Sequence, residues 1–265
     1  MKKDKFFKNL LVCLVFFFLY LPIIILVIYS FNISKMNIVF EGITFDWYKT
    51  LFSNHDLINA FVNTMIIAIT STIISTVIGT TSAVGLKRYN FKYKDLINKL
   101  IYIPIVIPEI VLGISLLSVY TLMKFELGMF TLILSHIAFS IPFVVVSVRS
   151  SLTYDLSTYE EAASDLGANS FNTFFKVTLP LIMPGVISGA TLAFTLSLDD
   201  VVISYFTAGP GSNTLPLKIY SMIKTGITPD VNALSTLMLV VVIIVLTTSA
   251  IVQSRKIARL SMNRG

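Results

Sequence analysis

Residues 160–180 read EEAASDLGANSFNTFFKVTLP, a polar stretch between long apolar segments, and the rest of the chain is organised around it. Ser157 and Glu160 have the spacing of a capping box, in which a hydroxyl caps the first helical turn and a glutamate reaches back to the cap residue. A helix is therefore predicted to begin near Thr158. Gly167 is predicted to end it, because glycine adopts positive φ without the steric cost that other residues incur.

A second short helix is predicted after this glycine, so that the stretch forms two helices with a hinge between them. Asn169 or Ser170 can cap the second helix through a side-chain oxygen. Pro180 is predicted to close the unit. The apolar side chains that this helix carries are Phe171, Phe174, Phe175 and Val177.

The spacing of the same stretch resembles a known family. Glu161-Ala162-Ala163, three residues, Gly167, nine residues and then Val177-Thr178-Leu179-Pro180 match the EAA signature of bacterial ABC importer permeases, with Val177 where isoleucine is usual. A Glu-Ala-Ala tripeptide alone would indicate an ordinary surface helix, so the prediction depends on the full spacing. In the family this segment docks on a cytoplasmic ATPase. The resemblance implies coupling roles for Glu160, Glu161, Ala162, Ala163, Asp165, Gly167, Leu179 and Pro180.

Composition places the chain in a membrane. Its 265 residues are 55% hydrophobic and 13% charged, and the mean hydropathy of +0.84 is too high for a soluble globule of this size. The net charge of +6 does not indicate nucleic acid, because the basic residues lie beside apolar segments and are not interleaved with aromatics. Cys13 is the single cysteine and there are two histidines, so neither a disulfide framework nor a metal site is expected.

The apolar segments predict an all-α polytopic fold, a single permease domain over residues 1–265. A helix needs about 20 apolar residues to cross a hydrocarbon core of roughly 30 Å. The first segment is long enough to be a retained helix and not a cleaved signal peptide. Six transmembrane helices are predicted at about 10–31, 60–86, 100–123, 130–148, 181–206 and 231–252, with a cytoplasmic coupling loop at 149–180.

Charge distribution predicts the orientation of these spans. By the boundaries above, segments assigned to the inner side carry 15 Lys and Arg residues and segments assigned to the outer side carry five. Both termini are therefore predicted to be cytoplasmic. No Gly-Lys-Ser/Thr occurs, so the chain has no P-loop; it is expected to have no cofactor, not to be an enzyme, and to depend on a separate ATPase subunit.

Three carboxylates lie inside the predicted spans. A charge near the bilayer centre costs roughly 2.5–3.5 kcal/mol, so such residues are rare unless they face protein, water or a ligand. Glu109 is about nine residues into its span, which at roughly 1.5 Å per residue predicts a position near mid-depth. Asp199 and Asp200 lie toward the outer end, and because neighbours on a helix point about 100° apart, one of the two is expected to face the pathway. The alternative is a solvated helix end in the headgroup region.

Two other residues have both a structural and a functional interpretation. Trp47 is either an interfacial anchor or an aromatic face for a cationic ligand at the outer mouth. Ser197 either hydrogen-bonds a ligand or its own helix backbone.

The run from 192 to 204, LAFTLSLDDVVIS, together with Gly209-Pro210-Gly211 and Thr214-Leu215-Pro216-Leu217, resembles the permease subunits of spermidine/putrescine ABC importers. The resemblance covers nearly the whole chain. It implies a bacterial inner-membrane protein that pairs with a second, homologous permease, two cytoplasmic ATPase subunits and an external polyamine-binding protein, in contact with membrane lipid. The residues that match the family's substrate pathway are Trp47, Glu109, Ser197, Asp199 and Asp200.

Other classes fit the sequence less well. A channel or secondary transporter would have no use for an ATPase-docking loop. A membrane enzyme would need a nucleophile, base or metal cluster in one region, and the sequence shows none. The remaining alternative is an ABC importer permease for another cationic or neutral solute, since pathway carboxylates disfavour an anion.

Overall fold

The computed structural model describes residues 2–35, 39–152, 156–223 and 228–262. Within these ranges the chain is helical and has no strand, only a single antiparallel bridge between Asn32 and Ile43. The all-α prediction is confirmed. The α-helices are α1 (Lys2–Tyr29), α2 (Asp46–Ser53), α3 (His55–Arg88), α4 (Lys94–Val106), α5 (Glu109–Leu122), α6 (Met129–Ser150), α7 (Leu156–Asp165), α8 (Ser170–Thr173), α9 (Leu179–Leu198), α10 (Val202–Thr207), α11 (Leu215–Ile223) and α12 (Pro229–Met262), with a π-helix at Phe174–Thr178.

Four helical stretches in the described part of the chain are long and apolar enough to cross a membrane. They are Phe7–Tyr29, His55–Arg88, Met129–Ser150 and Ser170–Leu198. The bent pair α4 and α5 would be a fifth, and Pro229–Ile244 is a shorter apolar helix within α12. The count of six spans therefore stays a prediction.

The predicted span at 100–123 is not one straight helix, which corrects the sequence analysis. It consists of α4 and α5, bent by 111° at Ile107 and Pro108. Ile107 is extended, with φ −68° and ψ 134°, because the residue before a proline is disfavoured in the α region. Glu109 begins α5 beyond this bend. Counting residues along a straight helix thus gives no valid depth for Glu109.

The predicted span at 181–206 is also interrupted. Helix α9 ends at Leu198, and Asp199 at its C-cap has φ −103° and ψ 3°. Helix α10 begins at Val202 after this break. The two aspartates therefore lie in a linker and not on a continuous helix.

The chain divides into two compact units, Asn59–Tyr220 and Met1–Ile58 with Ser221–Gly265. The core of the first unit lies where α3, α6 and α9 meet. Glycines allow α6 and α9 to approach closely: a Cβ on Gly189 would lie 3.1 Å from the Cα of Val144. The buried residues of this core are Ala83, Val84, Val144, Val145, Val148, Leu156, Ile182 and Ala193.

The second unit packs α12 against α1 and α2. Asn54 at the end of α2 donates a hydrogen bond to Asp230 Oδ2 (2.8 Å), so the polar ends of α2 and α12 are joined. Ser30, just after α1, shares a 2.8 Å hydrogen bond with the hydroxyl of Tyr48 on α2. These contacts fix the orientation of α2, which carries Trp47.

Candidate functional site

The hinge of the coupling loop (149–180) is a Schellman turn at the end of α7. Gly167 has φ +84°, as the sequence predicted. Its N–H donates to the carbonyl of Ser164 (2.9 Å), and the N–H of Ala168 donates to the carbonyl of Ala163 (3.0 Å). This pair of bonds satisfies carbonyls that the helix end would otherwise leave free. Nothing lies within 4 Å of a Cβ added at Gly167, so its requirement is a backbone one.

The start of α7 differs from the prediction. The helix already includes Leu156, so Ser157 lies inside it and is not its N-cap. The carboxylate of Glu160 does not reach back to the start of the helix but contacts Arg88 and Thr178. Its Oε1 lies 2.6 Å from Nη2 of Arg88 at the end of α3 and accepts a 2.5 Å hydrogen bond from Thr178 Oγ1. Glu160 therefore joins α7 to α3 and to the segment before α9.

The second helix of the loop starts as predicted but does not stop at Pro180. Asn169 Oδ1 accepts from the N–H of Asn172 (2.8 Å) and caps α8. The chain then passes through the π-helix, in which the N–H of Leu179 donates to the carbonyl of Phe174, and continues directly into α9. Pro180 is tolerated at the second position of α9, because its missing N–H is accommodated by this wider turn. The prediction that Pro180 closes the unit is wrong.

The remaining coupling residues divide by exposure. Leu179 packs against the core and Ala163 is half-buried. The other members are exposed, Glu161, Ala162, Asp165 and Gly167 on α7 and at the hinge and Pro180 at the start of α9.

Several apolar side chains of the coupling loop are exposed as well, although no role was predicted for them. Leu166 at the hinge is 89% exposed and Tyr159 on α7 is 56% exposed. Phe171 and Phe175 are also exposed, and their ring centroids lie 4.5 Å apart. The signal in the sequence was a leucine directly before the predicted turn glycine, a position that a water-facing loop would not favour. The exposed surface of the loop is therefore both acidic and apolar.

A buried chain of hydrogen bonds links α3, α6, α9 and α10. His136, 1% exposed, lies at its centre: Nδ1 is 2.6 Å from Ser197 Oγ and Nε2 is 3.2 Å from Ser204 Oγ. Ser197 Oγ is also 3.2 Å from Ser71 Oγ. Ser204 Oγ donates to Asp200 Oδ2 (2.7 Å). We call Ser71, His136, Ser197, Asp200 and Ser204 the polar cluster.

The donors and acceptors of the polar cluster balance with a neutral imidazole. The hydroxyl proton of Ser204 goes to Asp200, so Ser204 Oγ accepts from Nε2–H of His136. Nδ1 then accepts from Ser197. The single hydroxyl proton of Ser71 is shared between Ser197 Oγ (3.2 Å) and the carbonyl of Ala68 (3.3 Å). Ser197 thus bonds side chains of neighbouring helices, which is neither of its two predicted roles, a bond to a ligand or a bond to its own helix backbone.

The two neighbouring aspartates lie in different environments. Asp200 is 8% exposed and accepts from the N–H groups of Ile203 (3.1 Å) and Ser204 (2.7 Å), so it caps the start of α10. Its Oδ2 is also 3.5 Å from Nε2 of His136. Asp199 is exposed, and its own N–H donates to the carbonyl of Thr195. One aspartate therefore faces protein and the other faces the surface. The two differ because the helix breaks between Leu198 and Val202, and not because neighbours on a continuous helix point about 100° apart.

Glu109 is exposed in the first turn of α5, directly after the bend. A carboxylate at this position interacts favourably with the positive end of the helix dipole. Glu109 and Asp199 are thus exposed carboxylates in the unit Asn59–Tyr220. Each lies where a predicted span is interrupted, Glu109 between α4 and α5 and Asp199 between α9 and α10.

Trp47 lies in the other unit and is half-buried. Its Nε1–H donates to the carbonyl of Asn32 (2.5 Å). The Asn32 side chain in turn donates to the carbonyl of Val39 (2.7 Å) and accepts from the N–H of Glu41 (2.9 Å). The indole N–H therefore fastens α2 to the loop after α1, and its ring face is the part left for other contacts.

Comparison with known proteins gives several matches. Residues 75–259 match the family described as binding-protein-dependent transport system inner membrane component. The spermidine/putrescine transport system permease protein PotC of Escherichia coli (strain K12) is 44% identical over 246 residues, covering 92% of this chain and 91% of that protein. The putrescine transport system permease protein PotI of the same strain is 40% identical over 231 residues, covering 84% and 82%.

The fold is shared with solved structures. A bacterial ABC transporter involved in the import of the acidic polysaccharide alginate matches with a TM-score of 0.69 at 16% identity, covering 94% of this chain and 97% of that chain. The same kind of transporter in complex with its alginate pentasaccharide-bound periplasmic protein matches with a TM-score of 0.69 at 19% identity, covering 93% of each chain. At this identity the match concerns the fold alone.

Proposed function

The chain belongs to the family of binding-protein-dependent transport system inner membrane components, and we propose that it is the permease subunit of an ATP-driven importer of polyamines, spermidine or putrescine or both. The observation that carries this proposal is the extent of the likeness to PotC and PotI, whose names specify these solutes. The shared fold does not specify the solute, since a transporter of an acidic polysaccharide has it too.

The exposed carboxylates suit a polyamine. Such a solute carries two or more positive charges along a flexible chain, and an unpaired ammonium in a low-dielectric path is strongly disfavoured. Glu109 and Asp199 supply fixed negative charge at two helix breaks of one unit. We assign these two residues to the solute. Asp200 and Ser197 hold the second break in place through the polar cluster, and Trp47 offers its ring face to an ammonium group.

The exposed surface of the coupling loop suits a protein partner. Glu161, Ala162 and Asp165 present small and acidic groups next to the apolar side chain of Leu166. We assign this surface to a cytoplasmic ATPase, of which the importer has two. Glu160 and Leu179 act behind it, because they join the loop to α3 and to the core, and Ala163 is half-buried beside the hinge.

The other parts of the importer are a second homologous permease and an external polyamine-binding protein. Both termini of the chain are cytoplasmic, because the segments on that side hold 15 of the 20 Lys and Arg residues. The coupling loop then faces the same compartment as the ATPase.

The test is uptake of labelled spermidine and putrescine by the complete importer reconstituted in vesicles with ATP. Asp199→Asn or Glu109→Gln keeps shape and hydrogen bonding and removes the charge. For at least one of them we expect uptake about tenfold lower, equivalent to roughly 1.4 kcal/mol. Glu126→Gln is the matched control, since Glu126 is exposed in the turn between α5 and α6.

Three outcomes separate the parts of the proposal. A wild-type complex that does not take up either polyamine contradicts the solute assignment and favours another cationic or neutral solute. Normal uptake by both variants means that the two carboxylates are structural. An equal loss in the Glu126 control would indicate general attraction of cations to the surface and not a pathway role.

A further inference from the structure

We propose that a basic cavity at the ends of α3, α4 and α6 binds the phosphate of an anionic phospholipid headgroup. The cavity has a volume of about 330 Å³, within the ~300–1,000 Å³ range of small-molecule sites. It is separate from the polar cluster and from the exposed hinge of the coupling loop. Its lining residues are Leu86, Lys87, Lys94, Asn98, Arg149 and Leu152.

The lining residues that the structure describes give this basic cavity a positive charge. Three of its lining residues, Lys87, Lys94 and Arg149, are cationic and none of the six is acidic. In the part of the chain that the structure describes, Lys94 and Arg149 form no ion pair with a carboxylate, so their charges are not offset there. Asp95 is exposed beside Lys94 on α4, and Glu160 is paired with Arg88 at 2.6 Å. A phosphate is therefore the kind of group that the cavity attracts.

Two of the cations are held in place by neutral partners. Arg149 donates from Nη2 to Asn98 Oδ1 and from Nη1 to the hydroxyl of Tyr102 (3.5 Å). Lys94 Nζ donates to Asn90 Oδ1 (2.7 Å). Both cationic side chains are half-buried. These partners orient the cations without neutralising them, so that less side-chain entropy is lost when an anion binds.

The surroundings of the cavity favour a lipid over a free anion. Helix α4 has no fully buried residue, and the apolar side chains that it exposes continue away from the cavity along its length. Leu96 is 53% exposed, Leu100 49% and Ile103 43%. Acyl chains attached to a bound headgroup would cover this apolar surface, whereas inorganic phosphate would leave it bare.

The experiment measures binding of labelled phosphatidylglycerol to the detergent-purified, delipidated importer complex. Lys94→Gln with Arg149→Gln removes two cations of the cavity, and we expect at least tenfold weaker binding. Lys92→Gln with Lys99→Gln is the control, because it removes two exposed cations of the same segment that do not line the cavity. We expect this control to bind within about twofold of wild type, since surface charges contribute only weakly.

Competitors distinguish the sources of the phosphate. Unlabelled phosphatidylglycerol should displace the label, and phosphatidylcholine, which has no net charge, should not. Displacement by inorganic phosphate at the same concentration would overturn the assignment to a lipid. Equal losses in the control and in the cavity variant would overturn the site itself, because diffuse charge would then explain the binding.

Arg149 also ties α6 to α4, so its replacement risks unfolding the chain. Lys87→Gln with Lys94→Gln removes two lining cations and keeps this contact. This second variant should also bind phosphatidylglycerol at least tenfold more weakly. Wild-type binding by a folded Lys87→Gln/Lys94→Gln protein would contradict the proposal.

Discussion

Replacing Asp200 by asparagine should destabilise the protein, whereas the same change at Asp199 should not. The Asp200 carboxylate accepts three hydrogen bonds, one at Oδ1 from Ile203 and two at Oδ2 from Ser204. An asparagine has one acceptor oxygen and one NH₂ group. Whichever way the amide is turned, at least one buried donor then faces an N–H and is left without an acceptor.

The size of the effect follows from this count. An unsatisfied buried donor costs about 1–3 kcal/mol, and the remaining bonds lose their charge assistance. We therefore expect a loss of about 2 kcal/mol, or a fall in melting temperature of roughly 4–8 °C for a chain of this size. Asp199 is exposed and its side chain caps nothing in the described structure, so Asp199→Asn should change stability by less than about 0.5 kcal/mol.

The assay is fluorescence-detected size exclusion of the detergent-solubilised protein after heating. The two variants carry the same change in charge and composition at neighbouring positions, so each controls for the other. Melting of Asp200→Asn at the wild-type temperature would refute the capping role of Asp200. Equal destabilisation of both variants would refute the distinction between a buried and an exposed aspartate.

Three other predictions concern the hinge, the orientation and the core. Gly167→Val should insert normally but uncouple uptake from ATP hydrolysis, because a non-glycine residue at φ +84° costs about 1–2 kcal/mol. Gly167→Asn should have a milder effect. Wild-type uptake by the valine variant would contradict the coupling role. Single cysteines at the exposed positions Ser170 and Asn213, in a Cys13→Ala background, should react with impermeant reagents from opposite sides of the membrane, and labelling from one side would refute the orientation. Gly189→Leu should lower the melting temperature, because its Cβ would lie 3.1 Å from the Cα of Val144. Gly85→Ala should not, because nothing lies within 4 Å of a Cβ at that position. Similar melting temperatures of the two variants would contradict the close packing of α6 and α9.

Local features of the coupling loop were predictable from the sequence. The positive φ of Gly167 and the cap at Asn169 depend on bonds between residues close in the chain, such as Asn169 to Asn172 and Ala163 to Ala168. Residue type and spacing are enough to specify such bonds. The apolar segments likewise indicated an all-α membrane protein, because hydrophobicity and length are properties of the sequence alone.

The helix breaks were only partly predictable. Pro108 is visible in the sequence, but a proline inside an apolar span is compatible with a mild kink as well as with the observed 111° bend. Pro180 shows the opposite result, since the helix continues through it with a π-turn. Whether a proline ends, bends or merely widens a helix depends on the packing that each alternative allows.

The roles of the polar residues were decided by tertiary structure. The partners of His136 were not evident in the sequence: it bonds Ser197 across 61 positions, and Ser197 bonds Ser71 across 126. Asp199 and Asp200 are identical neighbours in sequence, but only Asp200 meets the donors of α10 and the imidazole. Residue type determines which hydrogen bonds a side chain can make. The partner that it meets depends on how helices distant in sequence pack together. Burial then determines which of these bonds must be made, because a buried polar group without a partner is costly.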